Sequence, residues 1–196
     1  MAALGQTTKL MKMHLLRSAA AFVLSVVLCA CPETTVPDGF GAGPVPLKPV
    51  EWEGTWSPVD EPGERFAFKV LNAEQGLLEL SESMGEGKDE VFTLALRQPV
   101  DGKIERGVCF AILKDKKKPA GGLHLLRADG KGRSFLLWAI DHKIVNAALK
   151  AGELKGNVIT DKDGDHNSLA VDATNSATLL APRFWNWTEP TIMVRR

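Results

Sequence analysis

Short apolar runs that alternate and then stop at a turn recur from residue 65 onward, and this rhythm constrains the fold more than any other feature. Arg65-Phe-Ala-Phe-Lys-Val-Leu71 puts Phe66 and Phe68 on one face of a strand. Gly76–Ser81, Val91–Leu96 and Val108–Leu113, six residues each, also suit strands. Leu123–Arg127 and Ser134–Ile140 flank the turn signal Ala128-Asp-Gly-Lys-Gly132, which makes them a hairpin. Turn-forming segments such as "NAEQG", "MGEGKD" and "QPVDGK" separate the other runs. Successive short strands with short connections predict an antiparallel meander that closes or curls into a barrel.

One helix interrupts the series. Asp141 stands at an N-cap, Ile144, Val145, Ala148 and Leu149 recur at helical spacing, and Gly152 stands where a helix stops. A last strand, Thr191–Arg195, is expected to close the structure. The fold expected is therefore mainly β, a meander or partly closed barrel with one helix packed on it, in a single domain spanning 51–196.

The first thirty residues follow a different logic. Lys9, Lys12, His14 and Arg17 precede any acid, and the apolar run Ala19–Leu28 follows them. A basic segment before a short apolar one is the layout of an export signal, and the run is too short to span a bilayer, which takes about 20 residues. Met11 or Met13 as the start would give a tidier signal than Met1. Leu28-Cys29-Ala30-Cys31 then resembles the lipobox of bacterial lipoproteins, with an aliphatic residue at −3, a small one at −1 and cysteine at +1. That resemblance implies a signal peptide over 1–30 and a lipid anchor on Cys31, through diacylglycerol on the thiol and an acyl chain such as palmitate on the amino group. Cleavage at Cys29 is the alternative, but Cys29 has Leu28, not a small residue, before it. With Cys31 lipidated, Cys109 is the one thiol left, so no internal disulfide is expected. Its apolar surroundings, Gly107–Leu113, read as core.

Residues 31–50 carry five prolines and three glycines after Cys31 and read as an extended tether. Pro32 at +2 is not the aspartate that retains enteric lipoproteins in the inner membrane. The resemblance therefore implies a location in the cell envelope, anchored in the outer membrane and facing the periplasm. The chain has 24 basic and 24 acidic side chains, and loss of Lys9, Lys12 and Arg17 leaves 21 against 24, a net charge of −3. Such a balance argues against a nucleic-acid partner. The basic cluster Lys114–Lys118 lies between apolar runs and reads as a solvated hairpin loop, with contact to anionic headgroups as the alternative.

Trp52-Glu-Gly54-Thr-Trp56 opens the domain. Gly-x-Trp at the first strand of a meander resembles the lipocalin and calycin barrels, and the whole layout resembles small bacterial β-meander lipoproteins of unassigned function. The barrel resemblance implies that Trp56 closes one end of the barrel and that Arg195 from the last strand stacks on it by cation–π attraction. Trp52, Trp56 and Arg195 are the candidate ligand-binding residues, with plain core packing as the competing reading for both tryptophans.

Catalytic motifs are missing from the sequence: no HExxH, Gly-x-Ser-x-Gly, P-loop or CxxC. No cofactor is expected, and His124, His142 and His166 do not pair at a metal-binding spacing. Phe184-Trp-Asn-Trp187 reads as core or sheet cover before it reads as an aromatic shelf. The candidate metal ligands are Asp161, Asp163 and Asp165, at the first, third and fifth places of a calcium-loop-like segment that ends at Asp172. His166 stands where that loop needs glycine, Asp172 replaces a bidentate Glu, and no helix signal flanks the segment. An acidic turn without tight calcium binding is therefore predicted. These features lead to a non-enzymatic, membrane-anchored binding domain for a small apolar ligand or another envelope component. The alternatives are an envelope hydrolase whose site converges only in the fold, or a structural or inhibitor-like interaction protein.

Overall fold

The computed structural model describes residues 33–82, 90–100, 107–115, 118, 120–161 and 164–196. Eight antiparallel strands close on themselves. They are β3 (Gly54–Pro58), β4 (Phe66–Asn72), β5 (Leu77–Glu82), β6 (Glu90–Gln98), β7 (Val108–Asp115), β8 (Ala120–Ala128), β9 (Ser134–Ala139) and β12 (Thr191–Arg195). Each of β3 to β8 pairs with the next, and β12 lies between β9 and β3. The expected meander thus closes into a full barrel, and the last strand closes it as anticipated. Closure leaves none of the eight with a free edge along its whole length, the usual solution to exposed sheet edges.

Alternation then sorts every strand into two faces. Register partners place Trp56, Phe66, Phe68, Leu78, Leu80, Phe92, Leu94, Leu96, Cys109, Leu126, Phe135 and Met193 in the lumen, and all are buried. An eight-stranded barrel is just wide enough for side chains to fill or for one small ligand to be held. Here side chains this bulky occupy much of that space.

A second core lies outside the barrel. Phe110, Ile112, Leu123, Leu125 and Trp138 project outward from β7, β8 and β9 and are covered by a polar-backed outer layer. That layer contains helix α2 (His142–Lys150), helix α3 (Ala173–Thr178), the 3₁₀ turn Pro182–Phe184 and the hairpin β10 (Gly156–Asp161) and β11 (Gly164–Leu169). α2 is the helix expected: Asp141 caps it by accepting from the amides of Lys143 and Ile144, and Val145 and Ala148 are its buried stripe. Gly152 follows at φ 74°, a conformation that favours glycine at a helix end. Phe184 and Trp185 enter this outer core, as the core reading of that cluster required, while Trp187 remains at the surface beside Trp138.

The segment expected to be a tether is instead part of the fold from Glu33 onward. Strand β1 (Thr34–Pro37) pairs antiparallel with β8 and parallel with β11. Strand β2 (Gly43–Pro44) pairs with the end of β6, and a turn of helix, α1 (Pro49–Trp52), leads into β3. Val36, Phe40 and Leu47 are buried. Proline is compatible with strand ends and edges, and Pro37 and Pro44 sit at the ends of their strands. Proline and glycine content therefore misled the sequence reading, because three apolar residues were enough to fasten the segment. Cys31 lies outside the described residues. Among those residues, no helix is long and apolar enough to cross a membrane.

Candidate functional site

The Trp-Gly-Trp opening builds one end of the barrel. Trp52 on α1, Trp56 on β3, Phe68 on β4 and Phe135 on β9 form a four-ring cluster with centroids 5.0–5.9 Å apart. The Trp56 indole donates to the Trp52 carbonyl at 2.9 Å. Arg195, the register partner of Trp56, donates through Nη1 to the Val50 carbonyl at 2.7 Å and through Nη2 to the Glu53 carbonyl. Gly54 has φ 131°, and a Cβ there would come within 3.2 Å of the Arg195 guanidinium. Both residues of Gly-x-Trp thus have a physical reason, and Trp52, Trp56 and Arg195 do come together. Arg195 works by hydrogen bonds to the carbonyls around α1 and not by the expected stacking; the cation–π contact found among the described residues is Arg183 over Phe184. The space beside this cluster is about 20 Å³, room for a water molecule. The packing supports a stopper more than a ligand wall.

The other end of the lumen is more polar. His124 faces inward between Ala111 and Ala139 and is buried, which lowers its pKa to about 4 and keeps the imidazole neutral. Inward-facing Leu113, Leu137 and Thr191 are only partly buried here. At the rim, Glu82 pairs across strands with Glu90, and burial followed by the Glu90 charge raises the Glu82 pKa. Burial, then the neighbouring Glu61 carboxylate, raises Glu64 to about 7.

His142 belongs to a separate polar knot. Asn167, fully buried on β11, joins the His142 ring (3.0 Å), the His142 carbonyl (2.9 Å) and the Thr34 hydroxyl (3.2 Å). Asp165 accepts from Thr160 (2.6 Å), Asn146 (3.3 Å) and Lys150 (3.5 Å), which holds its pKa low. This knot fastens α2 to β11 and β1 and leaves Asp165 committed to its donors. The calcium-loop-like segment is therefore a β-hairpin, with Asp165 and Asn167 spent on the knot. Asp172 caps α3 and pairs with Lys155 at 2.7 Å. Asp161 ends β10; Asp163, like Lys116 and Lys117, lies outside the described residues. Among the described residues, no three His, Cys, Asp or Glu side chains converge as a metal site. Burial raises Cys109 in the lumen wall to about 12, so its thiol is protonated.

A ligand-sized space lies on the outside of the barrel. Leu77, Ala95 and Ile112 are cross-strand partners on the outer faces of β5, β6 and β7 and form an apolar floor. Thr93 and Lys114, a second register pair, border it on one side and Arg97 on the other. The turn Asp38–Gly39 after β1 makes a wall, held by Phe40, whose ring meets Phe110 at 5.6 Å, and by an ion pair of Lys114 with Asp38 at 2.8 Å. The cleft measures about 370 Å³, within the roughly 300–1,000 Å³ of small-molecule sites. In the sequence Leu77, Thr93, Ala95 and Ile112 read only as parts of strands, and Lys114, which the structure places in β7, as the start of a solvated hairpin loop. Phe40, a lone aromatic in "DGFGAG", was the one signal that something docks there. No protein-family model, curated protein or solved structure matches this chain.

Proposed function

We propose that the chain is a lipid-anchored cell-envelope protein whose barrel acts as a non-enzymatic binding domain for a small apolar ligand, taken up in the outer cleft and not in the lumen. The observation that carries this reading is the cleft over Leu77, Ala95 and Ile112, apolar at its floor and large enough for a drug-sized molecule. The space beside the Trp52–Trp56 cluster is about 20 Å³ by contrast. The anchor rests on the lipobox resemblance at Cys31, and it places the domain at the periplasmic face of the outer membrane. Two lipid attachments at one terminus give stable membrane association, where a single chain does not.

Calorimetric titration of the purified protein with 1-octanol tests the binding reading. Saturable binding that disappears in Ala95→Trp, which fills the floor from its centre, is the expected result; no binding to the wild type rejects it. The anchor has its own test. Cys31→Ser is expected to abolish labelling by radioactive palmitate and to release the protein from membranes, and retention with full labelling rejects the anchor.

A further inference from the structure

The two ends of the cleft differ in charge. Lys114 is already neutralised by Asp38, so the end by Thr93 carries a closed ion pair. Arg97 is different. Its Nη1 donates to the backbone carbonyls of Gln75 (2.7 Å) and Leu96 (3.2 Å), which orient the guanidinium without cancelling its charge. Among the described residues no carboxylate lies within ion-pair distance of it. Arg97 stands two residues beyond Ala95 on the same face of β6, about 7 Å along the strand. The floor itself spans three strands, about 10 Å across.

A guanidinium oriented by backbone carbonyls and, among the described residues, without a carboxylate partner, at the edge of an apolar floor matches one ligand polarity. Resting on the binding reading above, we infer that the cleft takes a small amphiphile with a single carboxylate, its head on Arg97 and its apolar body over Leu77, Ala95 and Ile112. A guanidinium presents donors in a planar fork that suits carboxylate oxygens, and the half-buried setting weakens competition from water. The closed Lys114–Asp38 pair at the far end sets the direction in which the ligand lies. A second anionic group at that end would have to displace Asp38, so monocarboxylates are preferred over dicarboxylates.

Octanoate and 1-octanol, which share a body and differ in the head, separate this inference from the reading beneath it. Both are titrated into wild type, Arg97→Gln, Arg97→Lys and Ala95→Trp, with each variant's fold checked by circular dichroism. Octanoate is expected to bind the wild type about tenfold more tightly than octanol, the range of a charge-assisted hydrogen bond. Arg97→Gln should remove that preference and leave octanol unchanged, Arg97→Lys should keep part of it, and Ala95→Trp should abolish both. Equal affinities in the wild type, or an octanoate preference that survives Arg97→Gln, overturn the assignment of the head to Arg97 while leaving an apolar site in place. Binding of neither ligand overturns the site as well.

Discussion

The inner and outer faces of β6 and β7 are made by alternate residues of the same two strands, yet they have opposite fates. Inward, Phe92, Leu94, Leu96 and Cys109 are all buried in the lumen. Outward, Phe110 and Ile112 are buried beneath the outer layer, but Thr93, Ala95, Arg97 and Lys114 are left only partly covered. The inner face is packed over most of its length because closure turns every strand toward one interior, with Leu113 at the polar end only partly buried. The outer face is open because its cover is a partial layer: α2 and the segment after α3 protect β7 to β9, and the turn at Asp38 reaches only the edge of β5 to β7. A small residue at the centre, Ala95, then leaves the gap that a leucine would fill. Among the described residues, incomplete cover of the outer face leaves a ligand-sized cleft.

The largest effect should come from the packed face. Trp56 is 1% exposed and touches two aromatic rings besides donating to Trp52. Trp56→Ala is expected to cost about 3–5 kcal/mol in urea unfolding, as large aromatic deletions do. A loss below about 1 kcal/mol would mean that the stopper is not part of the core. Arg195→Met comes next. It removes two hydrogen bonds that tie β12 to the carbonyls around α1 and should cost about 1–2 kcal/mol by the same measurement.

Acid–base behaviour probes the polar end of the lumen. Buried neutral His124 has a pKa of about 4 in the fold against 6.5 unfolded. Between those values the unfolded chain binds the extra proton, so this residue makes stability rise with pH across that window. Glu64 acts in the opposite sense. Its pKa of about 7 against 4.5 means the fold holds the proton longer, so stability falls as pH climbs from about 4.5 to about 7. The two contributions oppose each other over most of one range, the histidine's being larger because Glu64 is more open to solvent. Thermal melts of His124→Leu should show stability that falls with rising pH there, and melts of Glu64→Gln should show a steeper rise than the wild type. Identical profiles for all three proteins would show that neither group is perturbed by the fold. Cys109 reports on the same wall: its thiol should react with a disulfide reagent only after denaturant is added.

Smallest of all should be the stability change in Ala95→Trp, within about 0.5–1 kcal/mol because the position is partly exposed, although the same substitution is expected to remove ligand binding.

How much of this was legible in the sequence follows from the range of the interactions. The strands around Phe66–Phe68, Val108–Leu113 and the hairpin at Asp129–Gly132 carry local alternation and turn chemistry, and α2 carries its own cap and stripe; all could be read directly. The closing strand Thr191–Arg195 was also readable, because an isolated apolar segment needs an edge to pair with. What could not be read were pairings that depend on distant partners. β1 meets β8 and β11 across more than eighty residues, and nothing in Thr34–Pro37 encodes that. The Gly-x-Trp motif pointed to one closed end with Arg195 beside it, which the fold provides, but it also directed attention to the lumen. The cleft consists of residues such as Thr93 and Arg97, whose outward alternation looks like ordinary solvent exposure until the Asp38 turn is placed against them.

The central claim is that ligand space lies outside the barrel. Titration of isotopically labelled protein with 1-octanol, followed through backbone amide shifts, tests it most directly. Perturbations centred on Leu77, Thr93, Ala95 and Ile112, fading toward the lumen, are the predicted result. Perturbations centred on the lumen, at Leu94, His124, Leu126 and Phe135 with the outer row unmoved, would contradict it.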